Sequence, residues 1–338
     1  MIKEAISKII QSQDLTQDEM VTVMNEVMSG AATEAQIASF ITALRMKGET
    51  VDEITGGALV MREKAAKINV EGELVDTCGT GGDGLHTFNI STISAFVVAG
   101  AGIKVAKHGN KSVSSKCGSA DLLMNFGVNI DVPPEIIEKC IKDVGIGFLF
   151  APKLHLAMKY AIGPRREIGI RTIFNILGPL TNPAGAKRQL LGVYDENLTE
   201  PLANVLKNLG SKRVFIVHGE EGLDEISITA RTKISELKED GNISTYWITP
   251  EDFGIKRANL DEIKGGEAQK NLEMALEILQ GKDGPRRDAI LLNSAFGIMA
   301  GGKANTVEEG IELSAKSIDS RMALEKLERL REITSTCK

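Results

Sequence analysis

The stretch Asp76-Thr77-Cys78-Gly79-Thr80-Gly81-Gly82-Asp83-Gly84 is followed closely by Asn89-Ile90-Ser91-Thr92, which opens an apolar segment ending near Ala99. Because the short apolar run Leu74-Val75 precedes it, the pattern predicts a buried strand, a glycine loop and the start of a helix. Glycine permits unusual backbone conformations and close approach to a ligand. The first amides of a helix are unpaired donors at the positive end of its dipole, so the segment predicts a phosphate cradle.

Two other phosphate-binding signatures fit this loop less well. Gly79, Gly81 and Gly84 have the spacing of a dinucleotide-binding fingerprint, which also needs an acidic residue about 20 positions later to hold a ribose hydroxyl. No Asp or Glu occurs among the 36 residues from Leu85 to Ala120, which contain four lysines and two histidines. The Gly-Lys-Ser/Thr signature of nucleoside triphosphate hydrolases is also absent. In a chain of net charge −6, this carboxylate-free run favours a site for a polyanion.

The composition is that of a globular protein without an export signal. The 338 residues are 42% hydrophobic and 25% charged, enough for one large domain or two smaller ones. A net charge of −6 disfavours general affinity for nucleic acid or an anionic membrane. The four cysteines show neither the spacing of a zinc site nor the density of a disulfide-rich secreted domain. With no signal-peptide core and no apolar run of ~20 residues, we expect a cytoplasmic protein.

The first 67 residues predict a helical domain. Three capping boxes, each a Thr followed at the third position by Glu or Gln, precede apolar patterns with a helical period. These pairs are Thr16 with Glu19, Thr33 with Gln36 and Thr50 with Glu53. Gly30 and Gly48 stand where the first two of these helices would end, as caps with positive φ.

From about residue 70 onward, short apolar runs ended by glycine predict buried parallel strands. The predicted strands are Leu74-Val75, Ile103 to Ala106, Ile146 to Phe150, Leu190 to Tyr194 and Val214 to Val217. The helical patterns between and after them are Ser119 to Phe126, Pro134 to Val144, Pro201 to Leu209 and residues 267 to 335. This alternation predicts an α/β domain whose mainly parallel central sheet is flanked by helices.

Two further polar loops follow predicted strands. Residues 107 to 115, Lys-His-Gly-Asn-Lys-Ser-Val-Ser-Ser, combine cations, an amide and hydroxyls, although a solvated surface loop is the alternative. Residues 218 to 225 place adjacent carboxylates between glycines, which suits Mg²⁺ bridging to phosphate oxygens; a merely solvated acidic loop is the alternative. Because function concentrates in loops at the carboxyl ends of parallel strands, the convergence of three such loops favours a binding site.

Taken together, these segments resemble the anthranilate phosphoribosyltransferases, which act in the second step from chorismate to tryptophan. The matching segments cover Cys78 to Gly84, Thr87 to Thr92, Val105 to Asn110, Gly118 to Asp121 and Gly169 to Pro183. The resemblance extends over nearly the whole chain. It implies a small helical domain of residues 1–68 plus about 164–184, which would form a homodimer. A larger α/β domain of residues 69–163 plus 185–338 would bind phosphoribosyl pyrophosphate (PRPP), with the active site between the domains.

The resemblance also implies roles for individual residues, with Mg²⁺ as cofactor and with PRPP and anthranilate as substrates. The PRPP site would comprise Gly79, Gly82, Asp83, Thr87, Asn89, Ile90, Ser91, Thr92, Lys107, His108, Gly109, Asn110, Lys111, Ser112, Val113, Ser114, Ser115 and Ser119. Anthranilate would contact Gly79, Asn110 and Arg165, with His108 and His155 as further candidates. Mg²⁺ would be held by Ser91, Asp224 and Glu225, some of them through water. No covalent nucleophile is expected. Lys111 stands where the family commonly has arginine, so it keeps the charge but loses the planar fork for phosphate.

Three alternatives remain at this stage. A pyrimidine nucleoside phosphorylase of the same fold would need one phosphate and no metal, so the Asp224-Glu225 pair favours PRPP. A non-catalytic relative could bind nucleic acid through residues 104 to 116, although the net charge disfavours this and a steep salt dependence would reveal it. Cys78 could act as a nucleophile with His86 or His108 as its base, but a small buried residue beside a tight glycine turn explains it without further chemistry.

Overall fold

The computed structural model describes residues 1–111 and 116–336. Its first part is helical, with α1 (Ile2–Ile9), α2 (Gln17–Ser29), α3 (Glu34–Lys47) and α4 (Val51–Lys64). All three predicted capping boxes are formed, because the Thr hydroxyl accepts from the third residue's amide and that residue's side chain accepts from the Thr amide. Gly30 and Gly48 end α2 and α3 with φ of 77° and 90°, as predicted.

The remainder alternates strands with helices. The strands among the described residues are β1 (Val75–Gly79), β2 (Val105–Gly109), β3 (Ile146–Phe150), β4 (Arg188–Gly192), β5 (Arg213–Gly219), β6 (Thr232–Leu237) and β7 (Ile243–Ile248). The helices are α5 (Ile90–Gly100), α6 (Ser119–Asn125), α7 (Pro134–Asp143), α8 (Ala151–Leu154), α9 (Lys159–Ile168), α10 (Ile173–Leu177), α11 (Thr199–Asn208), α12 (Ala268–Leu279), α13 (Pro285–Ala300), α14 (Val307–Asp319) and α15 (Met322–Ser335).

The strands form one sheet in the order β3-β2-β1-β4-β5-β6-β7. The five strands from β3 to β5 pair in parallel, whereas β6 and β7 add on antiparallel. The predicted fold class is therefore confirmed, and every predicted parallel strand is present. The sequence pattern did not predict β6 and β7, because their apolar and polar residues are mixed and lack the continuous apolar runs of doubly covered parallel strands.

Side chains of the central strands alternate between two hydrophobic cores. Leu190 and Phe215 belong to the core that α5 and α13 cover, whereas their neighbours Leu191 and Ile216 belong to the core that continues into the helical domain. Helix α9 packs against α2 and α3, and α10 packs against α4, so the segment before β4 lies on the helical domain. The exact domain limits stay a prediction. None of the described helices is long and apolar enough to cross a membrane.

The strand order determines where loops can converge. The chain proceeds outward from β1 through β2 to β3 and then returns to the other side of β1 as β4. Loops at the carboxyl ends of β1 and β4 therefore diverge, which leaves a crevice at this switch point, the usual ligand position in open α/β sheets. The glycine loop after β1 and the acidic loop after β5 both open at this edge.

Candidate active site

The glycine loop is held against the ends of two neighbouring strands. Gly81, Gly82 and Gly84 have φ of 67°, 78° and 78°, so the turn needs glycine at these positions. The amide of Thr80 donates to the carbonyl of Gly192 at 2.9 Å, and the Thr80 hydroxyl accepts from the amide of Tyr194 at 3.1 Å. These contacts place the loop across the carboxyl ends of β1 and β4.

The acidic loop approaches the same two strand ends at close range. A Cβ atom built on Gly79 would lie 2.5 Å from Oδ2 of Asp224, and one on Gly192 would lie 1.6 Å from the Asp224 carbonyl oxygen. Asp224 Oδ2 also accepts from the amide of Gly81 at 2.7 Å. Glycine at the last position of β1 and of β4 therefore makes room for the backbone that carries the carboxylates.

Three carboxylates meet beside the start of α5. Burial and then the charge of Asp83 raise the pKa of Asp224 to about 7. Burial and then the charge of Asp224 raise the pKa of Glu225 to about 8, partly opposed by the Lys107 ammonium. Glu225 Oε1 accepts from the amide of Ser91 at 3.1 Å. The structure thus brings the predicted metal ligands Ser91, Asp224 and Glu225 together.

Ser91, Asp224 and Glu225 fit a Mg²⁺ ion whose remaining ligands are waters and substrate phosphates. Within residues 1–111 and 116–336, no group of three or more His, Cys, Asp or Glu side chains forms a metal cage on its own. Mg²⁺ is usually bound through one or two carboxylates, retained waters and substrate phosphates, and does not require such a cage. The raised pKa values of Asp224 and Glu225 show that their negative charges are poorly compensated, and a divalent cation would compensate them.

Lys107 places a buried positive charge next to these carboxylates. Its side chain lies beneath the glycine loop, where Nζ donates to the Thr77 carbonyl at 2.6 Å and to Ser91 Oγ at 3.4 Å. Burial lowers the pKa of Lys107, and the charges of Asp76 and Glu225 oppose that effect. The ammonium is therefore fixed between β1, β2 and the first turn of α5, where a phosphate cradle is predicted.

His108 and His155 form a second cluster on the side of β2 that faces the helical segment. Their Nε2 atoms are 3.2 Å apart. Burial is the main reason that the pKa of His108 falls to about 3 and that of His155 to about 4, so both rings are neutral at pH 7. Arg165, on α9, lies with its guanidinium carbon 5.2 Å from the ring centre of Phe174.

The other predicted site residues belong to the segments that follow β1 and β2 or lie outside the described residues, and Ile90 and Thr92 among them are buried in the first turn of α5. Asn110 and Ser119 are adjacent, since the Ser119 hydroxyl donates to the Asn110 carbonyl at 3.1 Å. The Asn89 side chain is already engaged, donating to the Cys117 carbonyl at 2.9 Å and accepting from Asn271 at 3.0 Å. The predictions for Ser112, Val113, Ser114 and Ser115 fall outside the described residues. Cys78 is buried, and burial raises the pKa of its thiol, which disfavours a nucleophilic role.

Comparison with known proteins identifies the family. Residues 3–65 match the helical bundle domain of a glycosyl transferase family, and residues 71–324 match the a/b domain of that family. The anthranilate phosphoribosyltransferase of Geotalea uraniireducens is 56% identical over 99% of this chain and 100% of its own length. The chain belongs to the anthranilate phosphoribosyltransferase family. Its Geobacter sulfurreducens relative of the same name is 57% identical, again over 99% of this chain.

Solved structures of this family superpose over nearly the whole chain. The crystal structure of anthranilate phosphoribosyltransferase from Thermus thermophilus is 40% identical and has a TM-score of 0.93, covering 98% of this chain and 99% of its own. The Saccharomyces cerevisiae enzyme in complex with PRPP and Mg is 29% identical with a TM-score of 0.89, covering 99% of this chain and 98% of its own. The family and fold predicted from the sequence are therefore confirmed.

Three side chains that the sequence did not single out support this family site. Arg171 donates to the carbonyl of Gly82, and its guanidinium carbon lies 4.1 Å from the ring centre of Tyr194, beside a cavity of about 490 Å³. Asp76 is fully buried, where it accepts from the His108 amide at 3.0 Å and from Asn182 Nδ2 at 2.8 Å. Arg171 and Asn182 lie in a segment that matches the family, but only the fold shows what they contact.

Proposed function

We infer that this chain is a Mg²⁺-dependent pentosyltransferase that moves the 5-phosphoribosyl group from PRPP to the amine of anthranilate. The products are N-(5-phosphoribosyl)anthranilate and pyrophosphate, and the reaction is the second step from chorismate to tryptophan. The observation that carries this inference is identity of 56% to an enzyme of that name over 99% of the chain. The comparisons do not support the pyrimidine nucleoside phosphorylase alternative.

We propose that PRPP binds across the glycine loop, the start of α5 and the segment from Lys107 to Ser119. The Lys107 ammonium is positioned in advance, so it would stabilise negative charge that develops on the leaving pyrophosphate. Ser91, Asp224 and Glu225 would hold Mg²⁺ at the same edge of the sheet. When bound there, Mg²⁺ would supply further positive charge to the pyrophosphate oxygens.

We propose that anthranilate enters from the side of Asn110, His108, His155 and Arg165. The planar guanidinium of Arg165 can donate two parallel hydrogen bonds to the substrate carboxylate. The two neutral histidines provide flat, uncharged surfaces for an aromatic ring. The neutral amine forms the C–N bond as the bond between the anomeric carbon and pyrophosphate breaks, and it then releases one proton. These residues would mainly orient the amine toward the anomeric carbon and exclude water, a positioning effect that can contribute several kcal/mol.

We also propose that the chain is a cytoplasmic homodimer joined through the helical domain. Large hydrophobic side chains exposed on the helical domain and on the segment that packs against it are Ile10, Met46, Leu156, Ile162 and Ile170. A two-fold interface would cover such apolar surface. Sedimentation equilibrium at several protein concentrations tests this, and a monomer at every concentration would exclude it.

The activity is tested by the loss of anthranilate fluorescence when the purified protein is mixed with PRPP and Mg²⁺. We expect loss only when all components are present. The double variant Asp224→Asn, Glu225→Gln should require much more Mg²⁺ for the same rate, and an unaltered Mg²⁺ titration would contradict the metal assignment. No fluorescence loss, together with phosphorolysis of thymidine or uridine, would place the chain with the phosphorylases instead.

A further inference from the structure

A buried amide from a distant helix holds the acidic loop. Asn293 lies in the middle of α13 and is completely buried. Its Oδ1 accepts from the Ile226 amide at 2.9 Å, and its Nδ2 donates to the Ile226 carbonyl at 2.9 Å. Nδ2 also donates to the carbonyl of Ala289 one turn earlier, at 2.9 Å, which fixes the orientation of the side-chain amide.

Ile226, the residue to which Asn293 is hydrogen-bonded, is the next residue in the sequence after Glu225. Ile226 thus has both backbone groups paired with one side chain, as they would be with a neighbouring strand, although the loop lies outside the sheet. Leu223, Ile226 and Ile228 are completely buried and alternate with the polar residues of the loop. The position of the two adjacent carboxylates therefore depends on the contact between this loop and α13.

A second set of bonds holds the loop from its other end. Ser227 Oγ accepts from the amides of Thr229 and Ala230, each at 2.9 Å, and donates to a carboxylate oxygen of Glu221. The Thr229 hydroxyl donates to the same Glu221 oxygen. These bonds join residues within the turn from 221 to 230. Asn293, in contrast, connects the turn to α13 at Ile226, the residue after Glu225.

We propose that Asn293 is a positioning residue for the magnesium and pyrophosphate site, acting through the backbone of Ile226. This inference rests on the proposed function. Asp224 and Glu225 carry like charges on adjacent residues, so their backbone must be restrained if both are to reach the Mg²⁺ proposed at this site. Asn293 supplies that restraint without adding charge.

The choice of an amide supports a role beyond packing. A polar side chain in the core is costly unless its donor and acceptor are both paired, and an apolar residue of similar size would fill the space on α13 equally well. Asparagine offers one acceptor and one donor group that match the Ile226 amide and carbonyl. Leucine has a similar shape but would leave both backbone groups unpaired.

The test is Asn293→Leu, with Mg²⁺ affinity measured by calorimetry in the presence of PRPP and without anthranilate. Loss of residues that support metal ligands usually weakens metal binding 10- to 100-fold, so we expect the Kd for Mg²⁺ to rise by about tenfold. The KM for anthranilate should change less than about twofold, because Asn293 bonds to Ile226 and Ala289 and not to His108, His155 or Arg165. The control is Leu292→Ala, which removes a buried side chain from the same helix but leaves the Ile226 bonds intact. It should lower the melting temperature without changing the Kd for Mg²⁺.

The outcomes separate this inference from the proposed function. If the wild-type protein neither binds Mg²⁺ in the presence of PRPP nor consumes anthranilate, the proposed function itself is wrong. If the wild-type protein is active, a folded Asn293→Leu variant with unchanged affinity for Mg²⁺ would overturn the positioning role. An equal loss of Mg²⁺ affinity in Leu292→Ala would also overturn it. Should Asn293→Leu fail to fold, Asn293→Ser decides, because serine is too short to pair with both the amide and the carbonyl of Ile226. This variant should also raise the Kd for Mg²⁺ several-fold, and an unchanged value would overturn the inference.

Discussion

Replacing Gly192 by alanine should displace Asp224 and Glu225, the carboxylates that we propose as Mg²⁺ ligands, while sparing the rest of the fold. Gly192 does not have a positive φ, so its backbone would accept alanine without conformational strain. The added Cβ, however, would lie 1.6 Å from the carbonyl oxygen of Asp224 and 2.4 Å from its carbonyl carbon. Both neighbours are backbone atoms, so no side-chain rotation can relieve the contact.

The size of the displacement follows from these distances. Because Cβ atoms essentially never come within 3.0 Å of such neighbours, the backbone at Asp224 must retreat by roughly 1.4 Å. That movement also pulls Asp224 Oδ2 away from the Gly81 amide and Glu225 from the Ser91 amide. A misplacement of about 1 Å can cost about 100-fold in rate, so we expect kcat/KM to fall by about that factor, or roughly 2.7 kcal/mol of transition-state stabilisation.

The assay is the initial rate of anthranilate fluorescence loss at several Mg²⁺ and PRPP concentrations. Gly210→Ala is a matched control, since Gly210 has a φ of 76° and no atom within 4 Å of an added Cβ. That variant should lose about 1–2 kcal/mol of stability through left-handed strain yet keep its Mg²⁺ dependence. Gly192→Ala with near wild-type kcat/KM would refute the reasoning that the close approach of β4 sets the carboxylate positions.

Three further predictions concern other parts of the site. Arg165→Ala should raise the KM for anthranilate at least about tenfold, from the loss of a charge-assisted pair, and an unchanged KM for anthranilate would remove Arg165 from the site. Arg171→Lys should raise the KM for PRPP roughly fivefold with little change in kcat, because lysine loses both the stack on Tyr194 and the fixed reach to Gly82; equal PRPP kinetics would show that this contact is dispensable. Burial lowers the pKa of His155 to about 4 in the folded protein, compared with about 6.5 in the unfolded chain. Between these pH values the unfolded chain binds more protons than the folded protein. The free energy of unfolding should therefore fall as the pH drops from 6.5 to 4, by up to about 3 kcal/mol. Chemical denaturation of His155→Gln across these pH values should show a shallower loss, and an identical slope would contradict the burial argument.

Elements with a strong local signal could be predicted from the sequence. The capping boxes at Thr16, Thr33 and Thr50 each contain both partners within four residues, and the helix starts follow from them. Each parallel strand contains a short apolar run or continues from one, because helices cover both faces of that part of the sheet. The glycine loop carries its own signature, since positive φ at Gly81, Gly82 and Gly84 limits the residues that the turn tolerates.

What could not be predicted depends on contacts between distant residues. Gly192 resembles any other strand end until Asp224, 32 residues later, is found against it. Asn293 has no local pattern, because its partner Ile226 is 67 residues away. Asp76 begins the stretch that predicts the loop, yet only the fold shows that it connects the His108 backbone to Asn182. A local pattern identifies the loops, whereas their relative placement is determined by side chains that join separate elements.

The distribution of charge supports the proposal that this acidic protein binds PRPP together with Mg²⁺. The carboxylate-free run from Leu85 to Ala120 supplies Lys107, but Asp83, Asp224 and Glu225 reach the site from outside that run. The site therefore has a cationic part that suits phosphate and an anionic part that would repel it. Without a cation, Asp224 and Glu225 carry raised pKa values, and bound pyrophosphate would increase the repulsion. A divalent ion held by Asp224 and Glu225 would offset both negative charges. PRPP and Mg²⁺ should thus bind with positive coupling, and calorimetric titration of PRPP with and without Mg²⁺ would measure it.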